Sequence, residues 1–177
     1  MTKTFPIATR LLHWTMAVLI VAMLFIGVAM VSSLSAYHLL VSVHKPLGVL
    51  ILGLLVIRIV NRFANPPPPL PADMPASMRF AAHASHWLLY GLMAALPLIG
   101  WGMLSAAAYP IVLIGPLHLP PILPHSNFLY SVLRRLHTAL AFMLFAVFTV
   151  HVAAALLHGL IFRDGVLQSM ATWRRQP

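Results

Sequence analysis

Cysteine is absent from the 177 residues, and the acids number only two, Asp73 and Asp164. Without thiols there can be no disulfide, thiolate zinc site, iron–sulfur cluster or C-x-x-C-H haem attachment. Two carboxylates cannot furnish a carboxylate-rich di-iron or calcium site. Charge is scarce altogether: 7% of residues are Asp, Glu, Lys or Arg, against about 25% in a soluble domain. Hydrophobic residues reach 61%. The chain is therefore predicted to be an all-α membrane protein, a single integral membrane domain over residues 1–177. At this length it holds four spans and no separate catalytic domain, so any chemistry lies among the helices. Histidine, by contrast, is plentiful at ten residues, which leaves imidazole as the main metal ligand. The formal charge of +9 does not point to nucleic acid, because the basic residues flank apolar runs instead of forming a patch.

The runs predict spans over about 11–31, 43–60, 81–104 and 128–162. The first follows Lys3 and Arg10 and precedes Ser33-Leu34-Ser35-Ala36, a sequence like a signal-peptide cleavage site. Its apolar run exceeds the usual 7–15 residues of a signal peptide, so it is expected to remain as a span. Pro66-Pro67-Pro68-Pro69 lies in the connector from Asn65 to Pro75, where missing amide hydrogens enforce an extended, semi-rigid link. Pro97 is expected to kink the third span. The loop from Ser105 to Asn127 has no charged residue and is expected to lie on the membrane surface or cap the bundle. The fourth segment, roughly 52 Å long if helical, exceeds a hydrocarbon core of about 30 Å and must project or break.

With four spans, Lys3, Arg10, Arg58, Arg62, Arg79, Arg163, Arg174 and Arg175 fall on one side, and Lys45, Arg134 and Arg135 on the other. The positive-inside rule then predicts a multi-pass inner-membrane protein with both termini cytoplasmic.

Ionisable residues inside spans are costly and usually functional. His137 and His151 lie about 21 Å apart along the fourth segment and about 40° apart around it. His44 begins the second span at the outer level, and His13 lies near the inner end of the first. Depth therefore pairs His44 with His137 and His13 with His151. Two neutral imidazoles from two helices at each level suit a b-type haem, so the bundle is predicted to hold two haem b groups with these four residues as axial ligands. His158 lies about 20° from His151 and roughly 10 Å deeper. With His86, expected at the inner end of the third span, it is a candidate for a quinone pocket and proton donation. His38, His83, His118 and His125 occupy loops or span ends and are expected to be ordinary surface residues.

Lys45, Arg134 and Arg135 adjoin His44 and His137. They are candidates for pairing with haem propionates and for drawing an anion to the outer end. Arg10, one turn before His13, is the corresponding inner candidate. Glycines at positions 27, 48, 53, 91, 100 and 102 lie in the spans and allow close helix approach. Gly48 would also admit a porphyrin face.

The segments Arg10-Leu-Leu-His-Trp14, His44-Lys-Pro-Leu-Gly48, His86-Trp-Leu-Leu-Tyr90, Leu96-Pro-Leu-Ile-Gly-Trp101 and His151-Val-Ala-Ala-Ala-Leu-Leu-His158 together resemble the bacterial cytochrome b561 family across all four spans. The resemblance implies a four-helix bundle in the inner membrane with two b haems held by His13, His44, His137 and His151. It also implies ubiquinone as electron acceptor, since the family includes a superoxide oxidase and related quinone-reducing subunits. Two departures occur: Gly159 follows His158 where a second histidine is often found, and Gln168-Ser-Met170 replaces a more basic run.

Iron held by two imidazoles has no open position, so electrons are expected to enter and leave by the haem edge. Superoxide oxidation at the periplasmic side with ubiquinone reduction is the leading expectation. One alternative is a cytochrome b subunit fed by a periplasmic redox partner, dehydrogenase or hydrogenase. The other is a histidine-based metal transporter.

Overall fold

The computed structural model describes residues 4–172. Lys3, Arg174 and Arg175, which contribute to the charge asymmetry, lie outside the described residues. Four helices are long and apolar enough to cross a membrane. These are α1 (Ile7–Ser32), α2 (Tyr37–Ala64), α3 (Ala76–Ala106) and α4 (Asn127–Leu157), the last running on as a π-helical turn, His158–Phe162. A hairpin of β1 (Ile111–Ile114) and β2 (Leu117–Leu119) precedes α4, and a short α5 (Val166–Ala171) closes the described chain.

Local chemistry sets the helix limits. Pro6 and Pro75 occupy the N-caps of α1 and α3, where a missing amide hydrogen is harmless. The proline run after Asn65 stops α2. Ser126 caps α4, its hydroxyl accepting from the Leu129 amide at 3.3 Å, which satisfies an otherwise orphaned donor. Each of the first three helices overruns its expected span by one to six residues at either end. Hydropathy locates the membrane-crossing core, but helical hydrogen bonding continues into the polar flanks. Arg58 and Arg62, which marked the end of the second span, therefore lie inside α2. Likewise His86 lies well within α3, not at its end. The backbone remains α-helical through Pro97.

Helix α1 packs on α2, α3 on α4, and α2 on α3. Their shared core comprises Met16 and Ile20, Ile51 and Leu55, Tyr90, Leu92, Met93 and Leu96, and Leu144. Leu144 is the one buried residue of α4. It falls one heptad after His137 and one before His151, so the inward stripe reads His, Leu, His at a spacing that drifts only about 20° per step. The middle of the bundle is thus apolar and packed, with imidazoles at either end of it.

Composition predicts no strand in the loop before α4, yet a hairpin forms there. Its turn is Gly115-Pro116, with Gly115 at φ +55°, and β-branched Ile111, Val112 and Ile114 lead into it. The hairpin is tied to the bundle: Lys45 Nζ donates to the Pro110 carbonyl at 3.3 Å and Trp101 Nε1 to the Pro120 carbonyl at 2.8 Å. At the other end α5 rests against α1. The Phe5 amide donates to the Ser169 carbonyl at 3.1 Å, and Trp14 Nε1 to the Met170 carbonyl at 3.3 Å.

Candidate functional site

Five of the six half-buried histidines gather at two levels. At the hairpin end, His44 of α2 faces His137 of α4 with ring centres 6.2 Å apart and planes at 65°. At the level nearer α5, His13 of α1 faces His151 of α4 at 6.5 Å and 62°. These are the two pairs that depth matching predicts. The separations carry chemical meaning. A metal–imidazole bond is about 2 Å and a ring centre lies about 1.1 Å beyond the nitrogen, so two imidazoles trans on one metal have centres about 6.3 Å apart. Both pairs match that distance.

The first pair opens on a cleft lined by His44, Lys45, Gly48, Gly100, Trp101 and His137, with Ile111 and Leu119 of the hairpin above. The hairpin thus caps this end of the bundle. Nδ1 of His44 and of His137 is buried without a hydrogen-bond partner among the described residues. Leaving such groups unmatched is costly, and two imidazoles confronting each other across an apolar cleft are poor packing elements. They suit a flat, largely apolar ligand whose metal engages the rings. Gly100 of α3 lies beside this ring: a Cβ there would be 3.5 Å from His137 Cε1, an ordinary van der Waals contact.

Around the second pair, a third imidazole is present. His86 of α3 touches His151 at 5.4 Å between ring centres, closer than a shared metal would hold two trans ligands. His86 is thus a direct neighbour of the pair. Arg58 completes the cluster: its Nη2 donates to His13 Nδ1 at 2.8 Å and its Nε to Tyr90 Oη at 3.3 Å. Arg62 stacks on Trp87 and Tyr90, 5.6 and 5.7 Å from their ring centres. In the sequence Arg58 and Arg62 stand out only as topological anchors, and Tyr90 has no marked role. The spacing held a clue, since Arg58 is as far from the end of α2 as His13 is from the start of α1.

The remaining candidates are distributed unevenly. Arg10 is buried on the same helix as His13. Arg134 and Arg135 are exposed and line a separate groove on α4 with Tyr130, Ser131 and Thr138; Lys45 is the basic residue of the cleft itself. His158 has its own partners, its Nδ1 paired with Asp164 Oδ2 at 2.5 Å and its ring against Phe162. The other oxygen of Asp164 accepts from the Val166 amide at 3.1 Å. Arg163 at φ 53° and Gly165 at φ 84° form the turn that delivers Asp164, a partner unmarked in the sequence because only the π-helical turn brings it back. His38, His83, His118 and His125 are all exposed.

Residues 4–173 match the family described as prokaryotic cytochrome b561. The chain belongs to this family. "Cytochrome b561 homolog 2" of Escherichia coli (strain K12) is 32% identical over 173 residues, covering 95% of this chain and 91% of that protein. "Probable superoxide oxidase CybB" of Yersinia pestis is 33% identical over 137 residues, 75% of each. "Cytochrome b561 homolog 1" of Escherichia coli (strain K12) is 27% identical over 146 residues, 80% of each. Membership makes the chain a prokaryotic membrane cytochrome of electron transfer and implies b-type haem. The two imidazole pairs are where this b561 chain has residues that fit such a group.

Proposed function

We propose that the protein oxidises superoxide at the end carrying His44 and His137 and reduces ubiquinone near the end carrying His151 and His158. Two haem b groups, held by His44 with His137 and by His13 with His151, would supply one-electron carriers stacked across the bilayer. The observation that carries this reading is the pair of 6.2 and 6.5 Å imidazole separations on one shared helix. The reaction balances as two superoxide anions giving two dioxygen molecules, while one ubiquinone takes two electrons and two protons to become ubiquinol.

The chain's own residues suit each part. Lys45 places a cation in the cleft beside the first pair, favouring approach of a small anion. The hairpin covers that cleft with apolar side chains, which excludes water from the imidazoles. At the opposite end His158, held by Asp164, is a proton donor for the reduced quinone, and His86 lies beside His151 as a second polar contact. The basic flanks orient the protein in the inner membrane with that end, and both termini, towards the cytoplasm. A likeness to a protein named as a superoxide oxidase supports the choice of donor.

A bare-metal transporter is disfavoured by the ligand set: neither carboxylate joins the imidazole pairs, since Asp73 is exposed in the connector and Asp164 is paired with His158. The test is a superoxide pulse on purified protein with ubiquinone and no partner protein. Rapid haem reduction followed by ubiquinol formation is expected. Haems that stay oxidised with superoxide, yet are reduced by a periplasmic redox protein, would establish the subunit reading instead.

A further inference from the structure

Arg58 is a cation in the wrong company. It projects from an apolar helix into the bundle, where its partners are the neutral His13 imidazole and Tyr90 hydroxyl, with the Tyr90 ring 5.7 Å from its guanidinium carbon. Neither acid of the chain serves it. Asp164 is occupied by His158 and the Val166 amide, and Asp73 is exposed in the proline-rich connector. Among the described residues, the one ion pair is His158 with Asp164. An unneutralised guanidinium inside a membrane bundle is costly, and its planar fork is shaped for a carboxylate.

His13 raises the same question from its own side. A guanidinium only donates hydrogen bonds, so Nδ1 of His13 is the acceptor and its proton resides on Nε2. An imidazole that binds metal through Nε2 normally carries its proton on Nδ1 and donates it. A carboxylate that drew Arg58 away would neutralise the cation and free Nδ1 together.

We propose that Arg58 is the counter-cation of a propionate on the haem held by His13 and His151, and that this pairing releases His13 for ligation. The proposal rests on the bis-histidine reading of that pair. Tyr90 is a positioning residue: its hydroxyl and ring keep the guanidinium at the level of His13 whichever acceptor it serves. The propionate pair also stabilises the reduced haem, because a nearby cation disfavours the extra positive charge of ferric iron. Arg58 therefore holds that haem's midpoint potential above the value it would otherwise have.

The test is a redox titration of purified Arg58→Gln and Arg58→Lys proteins, with haem per chain measured by pyridine haemochrome. Arg58→Gln should lower the midpoint of one of two haems and leave the other at its wild-type value. Combined with His137→Ala, the same drop should appear in the single haem that remains. Arg58→Lys, which keeps the charge but not the fork, should fall between wild type and Arg58→Gln; if Arg58→Gln does not fold, the lysine variant alone should still lie below wild type at one haem. Unchanged midpoints, or equal shifts in both haems, would overturn the proposal. Wild-type protein without two b haems would instead refute the underlying bis-histidine reading, so the two failures are distinct.

Discussion

Leu167 occupies the space into which a side chain at Gly159 would project: a Cβ there would lie 3.0 Å from Leu167 Cβ and closer still to its δ-methyl. Glycine at this position is therefore what allows α5 to fold back on the π-helical turn. The same closure brings Asp164 to His158. Glycine at position 159 thus has a packing reason in this chain.

Substituting Gly159→Ala should push α5 off the turn while both imidazole pairs stay intact. Amide hydrogen exchange of residues 164–172 should accelerate, with haem content unchanged. Protection equal to wild type would show that Leu167 simply moves aside.

Removing ligands should separate the two levels. His137→Ala and His13→Ala are each expected to retain one haem per chain, and the two retained haems should differ in midpoint potential. His86→Ala should retain two, because the His86 and His151 ring centres are 5.4 Å apart, closer than the 6.2 and 6.5 Å of the two opposed pairs. Loss of a haem in His86→Ala with retention in His13→Ala would exchange their roles.

Charge at the capped end should be felt through Lys45 more than through Arg135, because only Lys45 lines the cleft. Lys45→Glu is expected to slow haem reduction by superoxide by roughly threefold to tenfold at low ionic strength. The difference should shrink at 1 M salt, where the screening length is about 3 Å. Arg135→Ala should change the rate little, as its groove lies elsewhere on α4. Stopped-flow measurement at two salt concentrations checks both.

Asp164→Asn should leave superoxide-driven haem reduction intact and slow the following ubiquinol formation by about tenfold, less than the 10²–10⁴ carried by a general acid itself. The carboxylate holds His158 in place, and the amide keeps the volume without the charge. Equal slowing of both stages would place the defect in folding instead.

Leu144→Ala should destabilise the bundle by about 2–5 kcal/mol, because Leu144 is the buried residue of α4 between the two imidazole levels. Thermal loss of the haem absorption band is the measurement, with an unchanged midpoint temperature counting against a structural role.

Much was legible from the linear chain because two physical periodicities write themselves into it. Apolar runs about as long as a bilayer core is thick mark the four spans, and the angular repeat of the helix places His137, Leu144, His151 and His158 on one stripe of α4. Scarcity of thiols and carboxylates narrowed the metal chemistry to imidazole, and depth alone sorted His13, His44, His137 and His151 into the pairs seen in the fold. What the tertiary structure decided is everything that depends on neighbours from other elements. Hydropathy sees Arg58 as a polar residue ending a span, but helical hydrogen bonding carries α2 past it and packing against α1 and α3 turns it inward to His13 and Tyr90. His86 moves from an expected helix end to direct contact with His151 for the same reason. The hairpin over His44 and the return of Asp164 to His158 depend on left-handed turns at Gly115 and at Arg163 and Gly165, local conformations whose value appears only once the bundle gives them something to cover.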